Sequence, residues 1–262
     1  MGLSGLAQLN IETTARCDKA TLCGFCAHQA DPAAPRGDMD FALLERIRAQ
    51  LDPGTLTIQY HRDGDPLAYP RLRDSLDLFE GFVRSIVTHG ETLAARAAEL
   101  IGRCEAVTVS VFRGDADAER QWGSLTAFLQ EKGDRLPRVL IKIVGDLDPG
   151  RYVALGVPIL RRRLHDPMNT RYGKALPALP EQGVCLDFLS KPAIAWTGKM
   201  YQCVRFDETE AGYLGDVNTE SLEALWNGAR RRAWLTAHLA GRRDLANPRC
   251  AACTYYGIPV SV

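Results

Sequence analysis

Two hydrophobic rhythms alternate along the first two thirds of the chain. Short β-rich runs occur at 8–13, 55–60, 85–89, 106–112, 139–144 and 159–164. Between them, apolar residues recur every three or four positions, as in Phe41, Leu44, Ile47 and Leu51, or Leu93, Ala97, Leu100 and Ile101. Strand and helix in repeated alternation predict parallel βα units. Such units either close most of a barrel or form an open sheet. The rhythm breaks at about 166–183, a stretch containing Pro167, Gly173, Pro177 and Pro180. Beyond it, segments 193–196 and 200–205 flank Thr197-Gly198-Lys199 as a hairpin. A helix is predicted over 220–239, with Leu222, Leu225, Trp226 and Leu235 on one side.

Composition narrows the class. The 262 residues are 46% hydrophobic and 24% charged, which excludes a disordered or collagen-like chain. Basic and acidic side chains number 32 each, so bulk electrostatic binding of nucleic acid is not expected. No apolar run reaches the ~20 residues of a membrane span. The N-terminus lacks the basic-then-apolar pattern of a secretory signal, so a cytoplasmic location is expected. Eight cysteines are unusual: Cys17, Cys23 and Cys26, then Cys104, then Cys185, Cys203, Cys250 and Cys253. In a reducing compartment, clustered cysteines point to metal rather than disulfides.

Cys17, Cys23 and Cys26 directly follow the first predicted strand, where parallel βα proteins place their active-site loops. Three thiolates can hold three irons of a [4Fe–4S] cluster and leave the fourth open to a ligand. A zinc knuckle, or buried thiols that fall close together, are the alternatives. This strand followed by a Cys-x-aromatic-Cys loop resembles the radical S-adenosylmethionine (radical SAM) enzymes. Their usual cysteine spacing is three residues and then two, against five and then two here. In that family the open iron binds the amino and carboxylate groups of SAM, which is cleaved to methionine and a 5′-deoxyadenosyl radical. Further resemblances follow in order. Asp63-Gly64-Asp65-Pro66 is similar to the family's Gly-Gly-Glu-Pro, with Asp63 in place of a glycine and Asp65 in place of the glutamate. Thr88-His89-Gly90 is similar to Thr-Asn-Gly, Ser110 stands where a serine approaches the SAM ribose, and Gly145 ends the strand beside the adenine. The resemblance implies that Phe25, Gly64, Asp65, Ser110 and Gly145 contact SAM.

Cys185, Cys203, Cys250 and Cys253 form an all-thiolate set from distant segments, suited to an iron–sulfur cluster or to structural zinc. Gly198-x4-Cys203, Gly212-Tyr-Leu-Gly215, the Ser221–Trp226 segment and Cys-x2-Cys resemble the SPASM/twitch extension. That extension carries an auxiliary [4Fe–4S] cluster, here a single one in the short twitch form. In size and ligand spacing the chain resembles the 2-deoxy-scyllo-inosamine (2-DOIA) dehydrogenases. The resemblance implies an α/β fold: a partial (βα)6 barrel over 1–175 and a small α+β twitch domain over 176–262. It also implies SAM, two [4Fe–4S] clusters and a reductant such as flavodoxin or ferredoxin.

The expected reaction is oxidation of a secondary alcohol on a small polar molecule to a ketone, the electron passing to the auxiliary cluster. Peptide or natural-product modification (epimerisation, crosslinking, rearrangement) and a non-catalytic zinc protein are the alternatives. His61 and His89, at strand ends, are candidate proton-transfer groups because neutral imidazole accepts a proton near pH 7. Arg163 and Arg171, with Arg161, Arg162 and His165, either grip an anionic or polyhydroxyl substrate or form a solvated run. Arg230, Arg231, Arg232, Arg242 and Arg243 are expected on a solvated face. Cys104 is expected to be a buried thiol.

Overall fold

A computed structural model describes residues 2–19, 23, 26, 32–162, 185–205, 207 and 209–253. The βα alternation is realised as β1 (Gln8–Ile11), α1 (Phe41–Arg48), β2 (Thr57–Tyr60), α2 (Leu72–Leu78), β3 (Val83–Thr88) and α3 (Ala97–Leu100). It continues with β4 (Ala106–Phe112), α4 (Ala118–Lys132), β5 (Arg138–Val144), α5 (Gly150–Val153) and β6 (Ile159–Arg162). These six strands pair in parallel, in unbroken chain order from β1 to β6. A doubly wound sheet would reverse direction at some strand. Without a reversal, successive right-handed crossovers place their helices on one face. Residues of β1 and β6, five strands apart, line a common cavity of about 510 Å³. The sheet is therefore curled into a partial barrel.

The two faces of each strand differ in chemistry. Along β4, Val107, Val109 and Val111 are buried, and Thr108 and Ser110 between them line the cavity. On β5, Val139, Ile141 and Ile143 face the core, while Leu140 and Lys142 face the cavity. The apolar face packs against Leu44, Ile47, Leu72, Leu76, Leu100, Leu125 and Phe128 from the helices. Period-two alternation thus builds a dry outer layer and a polar interior from the same strands. Cys104 belongs to that core.

The C-terminal segment comprises α6 (Leu186–Ser190), β7 (Ala193–Ile194), β8 (Lys199–Tyr201), β9 (Tyr213–Asp216), α7 (Leu222–Trp226), α8 (Ala229–Leu239) and α9 (Pro248–Ala252). β7 and β8 form the expected hairpin, with Gly198 at φ +97° in its turn. β7 also pairs in parallel with β1, so one sheet of nine strands runs through both parts of the chain. The predicted boundary near residue 175 lies outside the described residues. The helix expected over 220–239 is two helices, because the chain leaves helical geometry at Asn227 and Gly228 (ψ 156°) before α8 starts. Arg231 and Arg243 are buried, which corrects the expectation of a mostly solvated basic face at these two positions. Arg231 lies over the Trp226 ring at 3.3 Å and donates to the carbonyls of Trp226 and Leu189. Its charge is spent inside, on packing α8 against α6 and α7.

Asn10 holds the seam between the two parts. Its buried amide donates to the carbonyls of Lys191 (3.2 Å) and Pro192 (3.0 Å) just before β7. Asn10→Leu removes both bonds; the Pro192 carbonyl keeps the Asn10 N–H (3.0 Å), while the Lys191 carbonyl loses this donor. The substitution is expected to lower the unfolding free energy by roughly 1–3 kcal/mol in urea denaturation.

Candidate functional site

The loop carrying the first three cysteines is closed at its base by short pairing. Met39 donates its N–H to Thr13 (2.7 Å), and Ala15 donates to Gly37 (2.9 Å). Three buried polar groups then fix the loop against the barrel. The Glu12 carboxylate accepts from Arg62 (3.1 Å), the Asp63 N–H (3.1 Å) and the Trp196 N–H (3.2 Å). Asp65, 4% exposed, accepts from the Thr88 hydroxyl (2.8 Å) and from the N–H groups of His89 (2.8 Å) and Leu67 (2.9 Å). Its own N–H donates to Arg16, and a Cβ on Gly64 would lie 2.1 Å from the Thr14 carbonyl. Only glycine admits that approach. The third group is Lys19. Its buried ammonium meets Glu91 (2.5 Å), Asp115 (2.7 Å) and Asp117 (3.2 Å), and Arg120 also pairs with Glu91. Burial opposes charge on Lys19, but the carboxylates outweigh it and raise its pKa.

Cys23 packs against Phe112 and Val144, at the C-terminal ends of β4 and β5. Burial, then the neighbouring thiol of Cys26, pushes the Cys23 thiol up to about 12, and Cys17 adds to the effect. The three thiols thus share one neighbourhood, and crowding there disfavours ionisation until a metal cation supplies the compensating charge. This donor set fits a metal at the mouth of the barrel. His89 is pinned beside it, 2.8 Å from Asp18 and 3.3 Å from Asp65.

The four later cysteines converge in a second small cavity with Phe188, Gln202, His238, Arg243 and Arg249. Burial and the other thiols push Cys250 up to about 12 and also raise Cys203. Asn247 caps α9 through the Cys250 N–H (3.0 Å) and donates to Gln202 (2.6 Å), whose amide lies 3.3 Å from the Cys250 sulfur. His238 is fully buried and stacks on Phe188 at 4.2 Å, with no hydrogen-bond partner for either ring nitrogen among the described residues. Four soft donors beside an orphaned N–H fit a sulfide-bearing cluster, whose sulfurs accept hydrogen bonds.

A family model described as SPASM, iron–sulfur cluster-binding domain, matches residues 185–254, a span that takes in all four of these cysteines. No curated protein matches the chain. Among solved structures, BtrN in complex with AdoMet and 2-DOIA is 15% identical, with a TM-score of 0.60, covering 95% of this chain and 93% of BtrN. The enzyme anSMEcpe with bound AdoMet is 12% identical, TM-score 0.63, over 88% of this chain and 83% of its own. Streptococcus suis SuiB bound to precursor peptide SuiA is 16% identical, TM-score 0.62, over 95% of this chain and 70% of SuiB.

Residues 185–254 match a SPASM domain, and the chain has the fold of BtrN and anSMEcpe. The matched domain is an iron–sulfur cluster-binding one, and BtrN and anSMEcpe, which share the fold, were both solved with AdoMet. The SPASM match favours iron–sulfur over structural zinc at the C-terminal cysteines.

The remaining sequence candidates fall in different places. His61 and Ser110 line the barrel cavity. Gly145 follows β5 at φ +84° and donates its N–H to Arg162 (2.9 Å). The Asp65 carboxylate is committed to Thr88, His89 and Leu67, and His89 sits with the loop rather than in the cavity. Phe25, Arg163 and Arg171 lie outside the described residues. Sequence reading missed Lys142, Asp187 and Arg205, which all line the cavity. The alternation of β5 was the available signal for Lys142, since it stands on the polar face. Asp187 and Arg205 pair at 3.3 Å and line both cavities, so one ion pair separates them. No helix among the described residues is long and apolar enough to cross a membrane.

Two outcomes are expected. Lys19→Met removes the cation shared by three carboxylates, of which Glu91 and Asp117 keep Arg120 while Asp115 loses its ion pair, and should cost roughly 3–5 kcal/mol of unfolding free energy by chemical denaturation. Anaerobically reconstituted protein should hold about eight irons with matching sulfide, falling to about four when Cys17, Cys23 and Cys26 are all replaced by Ala. Zinc without labile sulfide would overturn both cluster assignments.

Proposed function

We propose that this protein is a radical SAM oxidoreductase that oxidises a secondary alcohol of a small polar molecule to a ketone. The observation that carries this reading is the shared wall: the polar barrel cavity and the SPASM cysteine cavity are separated by Asp187 and Arg205. Oxidation needs an electron acceptor close to the substrate, and this arrangement supports one. A cavity of about 510 Å³ suits a small molecule. BtrN, solved with 2-DOIA, supports the same substrate size; SuiB, solved with a precursor peptide, represents the peptide alternative.

Cys17, Cys23 and Cys26 would hold the first cluster, and Cys185, Cys203, Cys250 and Cys253 the auxiliary one. When bound, SAM and the first cluster would supply a 5′-deoxyadenosyl radical able to take a carbon-bound hydrogen, with flavodoxin or ferredoxin as reductant, and the auxiliary cluster would accept one electron. The protein's own residues do the rest. The segment around Gly64, with Ser110 and Gly145 at the ends of β4 and β5, is assigned to the SAM side of the cavity. Asn10, Gln59 and Thr108 offer hydrogen-bonding groups to hydroxyls from the strand interior. His61 accepts a hydrogen bond from the reacting hydroxyl, whose proton passes to water. Burial, with Lys142 and Arg205 adding to it, lowers its pKa to about 3, so the imidazole is neutral at physiological pH and orients the hydroxyl rather than keeping its proton. Removing one hydrogen atom, one proton and one electron balances the two-electron oxidation of the alcohol.

Anaerobic turnover with SAM and a reductant tests this. His61→Ala should leave 5′-deoxyadenosine formation in place while ketone formation falls about tenfold. Failure of the reduced wild-type protein to form 5′-deoxyadenosine overturns the radical reading. A product at the oxidation level of its substrate overturns the dehydrogenase reading.

A further inference from the structure

The barrel cavity carries an unbalanced charge. Lys142 from β5, Arg162 from β6, Lys191 before β7 and Arg205 after β8 all line it. Against these four cations stands Asp187, the one carboxylate among the described lining residues. Asp187 is already engaged, at 3.3 Å from Arg205 and 3.4 Å from Lys191. The Lys142 ammonium makes no hydrogen bond or ion pair with any described residue, and the charges acting on it are those of Arg205 and Arg162. A cation enclosed beside two others is costly unless an anion joins it. The surrounding Gln8, Asn10, Gln59, Thr108, Ser110 and neutral His61 bring no negative charge.

We infer that the substrate carries an anionic oxyacid group, a carboxylate or a phosphate, which seats on Lys142 with Arg162 and Arg205 beside it. The inference rests on the proposed function and adds the charge of the substrate. Both arginines can offer forked donors to such a group, and Lys142 a point charge. The remaining, hydroxyl-bearing part of the substrate meets Asn10, Gln59 and Thr108. The same cations repel an ammonium, so an aminocyclitol such as 2-DOIA, the ligand in the BtrN structure, is disfavoured here.

The test uses four probes on one carbon skeleton: glucose, gluconate, glucose 6-phosphate and glucosamine. Each is titrated calorimetrically into the anaerobically reconstituted protein, as wild type, Lys142→Met and Lys142→Arg, with SAM titrated separately. Gluconate or glucose 6-phosphate should bind about tenfold or more tighter than glucose, and glucosamine weakest. Whichever anion binds tighter identifies the group as carboxylate or phosphate. Lys142→Met should erase that preference, Lys142→Arg should retain it, and SAM affinity should be unchanged in both. Equal binding of all four probes overturns the inference, as does preference for glucosamine. Loss of SAM affinity in Lys142→Met with the probe order intact also overturns it, because Lys142 then serves the cofactor. Formation of 5′-deoxyadenosine by the wild-type protein reports separately on the radical reading, so the two can fail independently.

Discussion

Three thiols on one irregular loop can meet a single metal centre only if something else holds the loop still. That constraint falls on three buried charged residues. Glu12 ties the end of β1 to Arg62, Asp63 and Trp196, and so joins the loop to β2 and to the hairpin after β7. Asp65 binds the end of β3 and, through its own N–H, the loop at Arg16. Lys19 reaches across to the turn after β4 and neutralises a cluster of carboxylates there. Each is nearly removed from water, so each tolerates little movement before a buried charge is left bare. The loop borrows its rigidity from the barrel.

The barrel can lend it because its strands are two-faced. Helices cover one face with aliphatic side chains, and the other, lined by Gln8, Asn10, Gln59, Thr108, Ser110 and Lys142, stays open as a cavity. Hydrogen-bonding groups carried on strands are more sharply positioned than groups on loops, because neighbouring strands fix the backbone on both sides. Stability and ligand contact therefore come from alternate residues of the same segments.

The C-terminal part adds a second cavity and attaches it through continuous backbone pairing of β7 with β1. The seam is short, but Asn10 and Glu12 reinforce it from the β1 side. As a result the two cavities share a wall, made by residues near two of the cysteines: Asp187 follows Cys185 by two positions and Arg205 follows Cys203 by two. A change in the second cavity is thereby transmitted through that wall to the barrel.

Local pattern determined much of this protein. All six barrel strands, the hairpin, the division of the cysteines into two groups and the loop positions of Gly64 and Cys17 follow from period, spacing and residue type, because those quantities are written along the chain. The split of the 220–239 helix at Gly228 was also written locally, in a residue poor at continuing a helix. Burial of Arg231 and Arg243 was not, since a basic run reads as solvated until an aromatic ring or a cavity is brought against it. The committed state of Asp65, the place of His89 outside the cavity, and the meeting of Lys142 with Asp187 and Arg205 were decided by tertiary structure alone. Those groups lie tens of residues apart, and only the curl of the sheet and the β1–β7 seam bring their charges within reach of one another.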